Sequence, residues 1–369
     1  MSAPQPNALQ GAIQKLAHHE LLSGADAEAA FSIIMQGEAT GVQVAALLSA
    51  LRVTGESPEV VAGVVRALRS VMIALDVDDP DSLVDTCGTG GGAVSTFNIS
   101  TAAAIVAAGA GVRIAKHGNR SFTSRSGSAD VLEALGVPIE ATLPIMKRAL
   151  EDAGIVFMYA PQMHPAMRHV GPVRRELAIP TVMNIVGPLA NPARAGRQVV
   201  GVADLERAPI LAGALSALGT IHALVVHGEP GLDEVSPLGP THVIEVRNGS
   251  TSNWTIKPED HGFKKIARED LAGSEPQENA RTIEKVFEGG GPKGARAAIV
   301  LNAAAAIYVS GRVKSYGEGV SAATKSIDSG EVPMMRTPAA FSGKARFSGV
   351  CPPNWTTSPT CAPADDSCS

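Results

Sequence analysis

Residues 85–118 read DTCGTGGGAVSTFNISTAAAIVAAGAGVRIAKHG, and this stretch decides the fold class. A glycine loop at 88–92 precedes an apolar helical run at 102–111, which leads into a short strand at 112–115. Glycines allow positive φ and let a ligand touch the backbone, while a helix N-terminus offers free N–H groups that suit phosphate. Residues 98–101 supply capping side chains there. The stretch predicts an α/β layer with an anion-binding loop, with a plain tight turn as the alternative.

The rest of the chain extends this α/β pattern and adds a helical start. Residues 8–75 have helical spacing throughout, with Ser57 and Pro58 as a helix start. Further buried strands are predicted at 154–158, 198–202 and 222–226, with helices at 209–218 and 296–328 and a hairpin at 241–257 that turns at Asn248-Gly249. The predicted fold class is therefore α/β with an N-terminal all-helical domain.

Composition narrows the class of protein. Of 369 residues, 45% are hydrophobic and 18% charged, and the net charge is −5, so a basic surface for nucleic acid is not expected. The first residues lack a secretion signal and the apolar run 102–111 is too short to span a bilayer, so we expect a cytoplasmic protein without membrane contact. The four cysteines are expected to be reduced thiols.

A polar stretch, residues 116–128, supports the anion-binding interpretation. It combines three cations, five hydroxyls and two glycines after a predicted strand, where ligands bind in α/β sheets. A solvated surface loop is the alternative.

Two further segments carry candidate side chains. The adjacent carboxylates Asp233 and Glu234 follow another predicted strand and suit Mg²⁺ shared with a pyrophosphate, although such pairs are often only surface charge. Residues 163–177 contain two histidines, for which a structural role is favoured, and three arginines suited to a carboxylate.

Together these segments resemble the anthranilate phosphoribosyltransferase family over residues 8–332. The motifs that carry the resemblance are Gly88-Thr89-Gly90-Gly91, Asn98-Ile99-Ser100-Thr101, Lys116-His117-Gly118-Asn119-Arg120, Ser126-Gly127-Ser128-Ala129-Asp130, His164-Pro165-Ala166-Met167, Asn184-Ile185-Val186-Gly187-Pro188-Leu189 and Gly231-Leu232-Asp233-Glu234. The resemblance implies transfer of phosphoribose from phosphoribosyl pyrophosphate to the amine of anthranilate, in tryptophan biosynthesis.

The resemblance also implies a nucleoside phosphorylase-like (class III phosphoribosyltransferase) fold and its division. Residues 1–78, joined by roughly 166–188, would form a helical domain through which two copies make a homodimer. Residues 79–165 and 189–332 would form the α/β domain that binds the donor, and 333–369 would be an irregular tail.

Carried over by position, the resemblance assigns three sets of site residues. Two Mg²⁺ ions per monomer would be held by Ser100, Asp233 and Glu234, and anthranilate by Gly88, Asn119 and Arg174. No side chain is expected to act as nucleophile or general base. The donor would meet Gly88, Gly91, Gly92, Thr96, Asn98, Ile99, Ser100, Thr101, Lys116, His117, Gly118, Asn119, Arg120, Ser121, Phe122, Thr123, Ser124 and Ser128.

Two departures from the family pattern and two other interpretations stay open. Where the family has Asp at the end of the glycine loop, this chain has Gly92, which we expect to change the response to Mg²⁺ without abolishing activity. The tail from Pro333 replaces a final helix with residues rich in Pro, Ser and Cys. The alternatives are a pyrimidine nucleoside phosphorylase, which shares the fold, and a non-catalytic relative that binds nucleic acid in the same groove.

Overall fold

The computed structural model describes residues 6–121, 125–264 and 266–330. Phe122, Thr123 and Ser124, predicted to bind the donor, lie outside the described residues, as does the tail 333–369 that was predicted to be irregular.

The chain begins with four helices, as the helical spacing of residues 8–75 predicts. They are α1 (Ala8–Ala17), α2 (Gly24–Met35), α3 (Gly41–Thr54) and α4 (Pro58–Ser70). Capping boxes at Asn7, Ser23 and Thr40 satisfy orphan N–H groups at the first three helix starts. Ser57 accepts from the N–H of Val60 at 3.2 Å, with Pro58 in the first turn, so the predicted start of α4 is confirmed.

A seven-stranded mixed sheet follows in the described part of the chain. Its strands are β1 (Val84–Gly88), β2 (Ile114–Gly118), β3 (Ile155–Tyr159), β4 (Arg197–Gly201), β5 (His222–Gly228), β6 (Thr241–Arg247) and β7 (Ser250–Ile256), in the order β3-β2-β1-β4-β5-β6-β7. Strands β1 to β5 are parallel, and β6 and β7 continue antiparallel. Asn248 and Gly249 have φ of 49° and 80°, so the predicted tight hairpin is confirmed.

Helices connect these strands and cover both faces. They are α5 (Ile99–Gly109), α6 (Ser128–Ala134), α7 (Leu143–Ala153), α8 (Ala160–Met163), α9 (Gly171–Leu177), α10 (Met183–Val186), α11 (Ala208–Ala217), α12 (Pro276–Phe287), α13 (Lys293–Val309) and α14 (Tyr316–Asp328). No helix in the described ranges combines the length and the apolarity that crossing a membrane requires.

The two largest of the four apolar cores in the described residues lie on opposite faces of the sheet. One is built from α5, α13 and α14 with the strands, and the other joins α1–α4 to α11 and to the segment around residues 182–190. Because β1, β2, β4 and β5 are parallel, their carboxyl ends at Gly88, Gly118, Gly201 and Gly228 meet at one edge. That edge is where the candidate site lies.

Two local predictions were wrong. β2 extends to Gly118, so Lys116 and His117 are strand residues, and Ser128 at the other end of the polar stretch already belongs to α6. Asn98 stands at the start of α5, but its side chain makes no capping hydrogen bond because it is engaged with residues from two other segments. The length of β2 and the hydrogen bonds of Asn98 both depend on segments that are distant in sequence.

Candidate active site

The glycine loop that follows β1 is fastened to two neighbouring segments. Thr89 N donates to the carbonyl O of Gly201 at 2.9 Å, and Gly90 N donates to Asp233 Oδ2 at 2.8 Å. Gly90 and Gly91 have φ of 70° and 81°, the left-handed region that favours glycine. The loop is thereby held across the carboxyl ends of β1 and β4.

The Asp233 segment passes close to three glycines of this edge, and Gly201 leaves it the least room. A Cβ on Gly88 would lie 2.5 Å from Asp233 Oδ2, and one on Gly92 would lie 3.0 Å from Gly231 O and 3.3 Å from Asp233 Oδ1. A Cβ on Gly201 would overlap the carbonyl O of Asp233. An aspartate at position 92 would therefore bring a third carboxylate against the predicted metal-binding pair.

The paired carboxylates Asp233 and Glu234 lie in an environment that disfavours their charge. Burial raises the pKa of Asp233, opposed by the hydrogen bond from Gly90 N–H. Burial and the neighbouring Asp233 raise the pKa of Glu234 to about 8, opposed by the Lys116 cation and by a hydrogen bond from the Ser100 backbone N–H. Glu234 thus contacts the first turn of α5, the end of a helix that attracts anions.

The pair fits a divalent cation whose remaining ligands come from a substrate. Two adjacent carboxylates with raised pKa gain from a nearby positive charge, and hard oxygen ligands suit Mg²⁺. Within the described ranges, no cluster of three or more His, Cys, Asp and Glu side chains has the arrangement of a metal site. An ion here would therefore depend on phosphate oxygens and water, as Mg²⁺ commonly does.

Lys116 places a buried amine beside Thr86 and Ser100, within the electrostatic influence of Glu234. Its side chain is 3% exposed, and its Nζ donates to Thr86 O at 2.5 Å and lies 3.4 Å from Ser100 Oγ. Burial lowers the pKa of Lys116, opposed by the negative charges of Asp85 and Glu234. Burial raises the pKa of Asp85 to about 6, opposed first by Lys116. A buried charge network thus underlies the site.

The start of α5 is tied to two distant segments through Asn98. Asn98 Nδ2 donates to Ser126 O at 3.0 Å, and its Oδ1 accepts from Ser126 Oγ at 2.9 Å and from Asn279 Nδ2 at 3.0 Å. Thr96 forms an antiparallel bridge with Ala272. The side chains of Ile99 and Thr101 are buried, so these two residues offer a ligand only their backbone.

Asp130, in the first turn of α6, closes the loop between β2 and that helix. Its Oδ2 accepts from Ser121 N at 3.1 Å and from Gly127 N at 2.8 Å. Its Oδ1 accepts from Arg120 Nη1 at 2.8 Å, and the same nitrogen lies 2.5 Å from a Glu133 carboxylate oxygen. Arg120 is therefore paired with two carboxylates before any ligand arrives.

Asn119 and Ser128 bracket the same loop. The carbonyl O of Asn119 accepts from Ala129 N and Ser128 Oγ, both at 3.2 Å, and its side-chain Oδ1 accepts from Arg120 N at 2.7 Å. Among the described residues, the hydrogen bonds of Asn119 use its oxygens and not its side-chain amide nitrogen. The loop thus keeps one amide donor beside the end of β2.

Two buried histidines stack at the end of β2. The rings of His117 and His164 have centroids 4.9 Å apart and are tilted by 59°. Burial lowers the pKa of His117 to about 3 and that of His164 to about 4. Backbone groups at Gly187 and Ala190 interact with these rings, but His117 Nε2 and both His164 ring nitrogens make no full hydrogen bond to described residues. Both rings are therefore neutral at pH 7.

Arg174, on α9, is half-buried and makes no ion pair with a described carboxylate. Its Nη2 lies 3.5 Å from Asn184 Oδ1, which is fixed by a 3.0 Å hydrogen bond from Thr181 N. Burial lowers its pKa. A guanidinium held in this way suits a carboxylate supplied by a ligand.

Sequence reasoning missed the residues that support the site from behind. Asp85 accepts from His117 N at 3.1 Å and from Asn191 Nδ2 at 2.7 Å, which ties β1 to β2 and to the segment before β4. In the same way, Asp130 fixes the loop before α6 by accepting from Gly127 N, and Asn279 fixes the start of α5 by donating to Asn98. The available signal was that Asp85 stands in the quoted stretch and Asp130 in a quoted motif; Asn279 stands in neither.

Two protein families that match this chain define the class of protein to which it belongs. The family described as "Glycosyl transferase family, a/b domain" matches residues 80–332, and "Glycosyl transferase family, helical bundle domain" matches residues 10–72. These two parts coincide with the sheet and with helices α1–α4. The fold is that of a glycosyl transferase with a helical bundle attached to an α/β domain.

Individual relatives narrow the class. The anthranilate phosphoribosyltransferase of Rubrobacter xylanophilus is 51% identical over 322 residues, covering 87% of this chain and 94% of that protein. The crystal structure of the Thermus thermophilus enzyme matches with 41% identity and a TM-score of 0.84, covering 90% and 99% of the two chains. The Saccharomyces cerevisiae enzyme in complex with PRPP and Mg matches with 31% identity and a TM-score of 0.81, covering 90% and 98%. The chain belongs to the anthranilate phosphoribosyltransferase family.

Proposed function

We propose that this chain transfers the phosphoribosyl group of phosphoribosyl pyrophosphate to the amine of anthranilate, giving N-(5-phosphoribosyl)anthranilate and pyrophosphate in tryptophan biosynthesis. The observation that carries the proposal is the half-buried pair Asp233 and Glu234, which faces the glycine loop and the start of α5 at one sheet edge. Relatives that share the whole fold are named for this reaction.

The donor would lie between the glycine loop and the polar loop. Gly90 and Gly91 present backbone in the left-handed conformation, and the first turn of α5 presents N–H groups, the arrangement that favours phosphate. Lys116 adds a buried positive charge behind them. We propose that the donor contacts the residues assigned above from the resemblance, with Arg120 acting only after it separates from Asp130 and Glu133.

Magnesium would be held by Asp233, Glu234 and the hydroxyl of Ser100, and we propose two ions per monomer. A solved relative from S. cerevisiae is in complex with PRPP and Mg, which supports the ion but leaves its number as our proposal. When bound, Mg²⁺ neutralises negative charge that builds on the leaving pyrophosphate.

The acceptor would bind beside the loop with its carboxylate toward Arg174. Another solved S. cerevisiae structure contains 4-fluoroanthranilate, an acceptor-like carboxylate. Arg174 has no carboxylate partner of its own among the described residues. We propose that it orients anthranilate, with Gly88 and the amide of Asn119 completing the contact.

The residues present suit a displacement that needs no general base. The amine nitrogen of anthranilate is neutral at pH 7, so its lone pair forms the new bond to the ribose C1′ while the bond from C1′ to the pyrophosphate oxygen breaks. The product nitrogen then releases its proton to water. The neutral rings of His117 and His164 do not need to accept it. Catalysis would come from positioning and electrostatic stabilisation of the leaving group.

We further propose a cytoplasmic homodimer assembled through the helical domain, residues 1–78 with roughly 166–188. The support is apolar surface there: Leu21, Val42 and Val53 are 75%, 80% and 86% exposed. Residues 79–165 and 189–332 would form the donor-binding domain. Exposed apolar side chains concentrated in one domain are typical of an interaction surface, and sedimentation of the purified chain tests the dimer.

The decisive experiment follows anthranilate fluorescence during incubation with phosphoribosyl pyrophosphate and Mg²⁺. We expect the signal to fall as the acceptor is consumed, and to stay constant when EDTA removes the metal. Glu234→Gln keeps the side-chain volume and should lower the rate by about 100-fold, because it removes one charged ligand. A folded protein that leaves the fluorescence unchanged would refute the proposal, and consumption of a pyrimidine nucleoside with phosphate would favour the phosphorylase alternative.

A further inference from the structure

A single amide interrupts the apolar core helix α13. Asn302 is 4% exposed and is surrounded along the helix by buried Ala, Ile, Val and Leu side chains. Burying an amide is costly unless its polar atoms find partners. Its position in the core therefore requires a compensating set of hydrogen bonds.

Those hydrogen bonds are complete, and two of them go to one residue. Asn302 Oδ1 accepts from Val235 N at 2.8 Å, and Nδ2 donates to Val235 O at 2.8 Å. The second Nδ2 proton goes to Ala298 O at 2.9 Å, which fixes the side chain against its own helix. The amide thus pairs with both backbone groups of Val235, as an adjacent strand would.

Val235 follows Glu234 directly, so this clamp acts on the carboxylate pair. On the opposite side, Gly228 N donates to Leu232 O at 2.9 Å, and the Asp233 main chain rests on Gly201. The segment 232–235 is therefore fixed from β4 and β5 at one end and from α13 at the other. Asn302 supplies the contact from α13.

Asn302 also borders a space that Glu234 lines. A small pocket beneath the glycine loop is lined by Thr86, Ser100, Glu234 and Asn302, together with apolar residues. The amide therefore lies against the backbone of the pair and beside one of its carboxylates. No other side chain in α13 is polar and buried in the described residues.

We infer that Asn302 is a positioning residue for Asp233 and Glu234, holding them in the arrangement that receives a metal-bound pyrophosphate. The inference rests on the proposed function for the identity of that ligand. Asn302 touches neither substrate nor metal and acts through Val235. Residues that orient metal ligands in this way change metal affinity or activity by about 10- to 100-fold when they are replaced.

Two variants test the role. Asn302→Ala removes all three hydrogen bonds, while Asn302→Asp keeps the volume and the acceptor for Val235 N but loses the donors to Val235 O and Ala298 O and sets a carboxylate oxygen against both carbonyls. The matched control is Ser326→Ala, which removes another buried hydrogen bond between helices, from Ser326 Oγ to Val106 O at 2.9 Å. Each variant loses at least one buried hydrogen bond, so each melting temperature should fall, and it should fall more for the two Asn302 variants than for Ser326→Ala.

The readout that separates positioning from stability is metal binding. Mn²⁺ binding to protein with phosphoribosyl pyrophosphate, and no acceptor, is followed by electron paramagnetic resonance alongside kcat and the Mg²⁺ concentration at half-maximal rate. We expect the Mn²⁺ dissociation constant to rise about 10-fold or more for Asn302→Ala, to rise also for Asn302→Asp because its carboxylate repels the Val235 carbonyl, and to be unchanged for Ser326→Ala.

Two results would overturn the inference. One is wild-type Mn²⁺ affinity and Mg²⁺ dependence in Asn302→Ala despite a lower melting temperature. If the alanine variant does not fold, wild-type metal binding in Asn302→Asp has the same meaning. Absence of transfer by the wild-type chain would instead refute the proposed function, while a metal-binding difference between the variants would still support the role of Asn302.

Discussion

Gly201→Ala tests whether the close passage of the Asp233 segment controls the site. The new Cβ would overlap the carbonyl O and carbon of Asp233, at about half the ordinary separation of 3.5 Å between heavy atoms. The Asp233 main chain must then move by about 1.5 Å, because backbone on both sides of the contact leaves no flexible side chain to yield. That displacement exceeds the tolerance of a positioned catalytic group.

The expected loss of activity follows from the size of that shift. Misplacement by about 1 Å reduces rates by about 100-fold, or about 2.7 kcal/mol of transition-state stabilisation. Overpacking should also lower the free energy of unfolding by about 1–3 kcal/mol. The assay is kcat/KM for phosphoribosyl pyrophosphate at saturating Mg²⁺, measured beside urea unfolding.

The control is Gly317→Ala, the same chemical change in α14. A Cβ there meets no atom within 4 Å, and alanine is the better helix former, so activity should be unchanged and stability equal or higher. If folded Gly201→Ala retained kcat/KM within about three-fold of the wild type, the argument from Asp233 placement would be wrong.

Three further predictions follow from the same geometry. Because the pKa of Glu234 is about 8, Mg²⁺ must displace a proton from this carboxyl group at lower pH. Calorimetry should therefore show an affinity for Mg²⁺ about five-fold weaker at pH 7 than at pH 8. Equal affinities at the two pH values would contradict this. Gly92→Asp should alter the Mg²⁺ profile and the donor KM, since its carboxylate would face Asp233; the hypothesis fails if both are unchanged. The pKa of His117 falls from 6.5 to about 3 on folding, so the unfolded chain binds more protons and stability is lost as pH drops below 6.5. Relative to the wild type, His117→Asn should therefore lose about 2 kcal/mol less between pH 7 and pH 5 in urea unfolding.

The fold could be predicted from sequence wherever its causes were local. Ser57 and Pro58 mark the start of α4 by side-chain chemistry within one turn, and Asn248-Gly249 specifies the hairpin by its φ angles. A helix cap was wrongly predicted for the Asn98 side chain, because its hydrogen-bond partner Asn279 lies far along the chain, on α12. Capping preference cannot anticipate a competing partner of that kind.

The chemistry of the candidate site could be predicted from the sequence, but the contacts that hold its side chains in place could not. Carboxylates, glycines and cations in the quoted motifs indicated a pyrophosphate and magnesium site before any geometry. The sequence did not reveal that Arg120 is already paired with Asp130 and Glu133, or that Lys116 is a strand residue whose amine donates to Thr86. Both facts depend on which segments the sheet order brings together.

The sheet order also determines when the site appears during folding. β1 pairs with β2 on one side and with β4, which begins only at Arg197, on the other. The glycine loop needs Gly201 for Thr89 and the later Asp233 for Gly90, and Val235 needs Asn302 in α13. Contacts so distant along the chain form slowly and late. A nascent chain released before α13 would therefore contain all seven strands and the Asp233 segment, but would lack the amide that holds Val235.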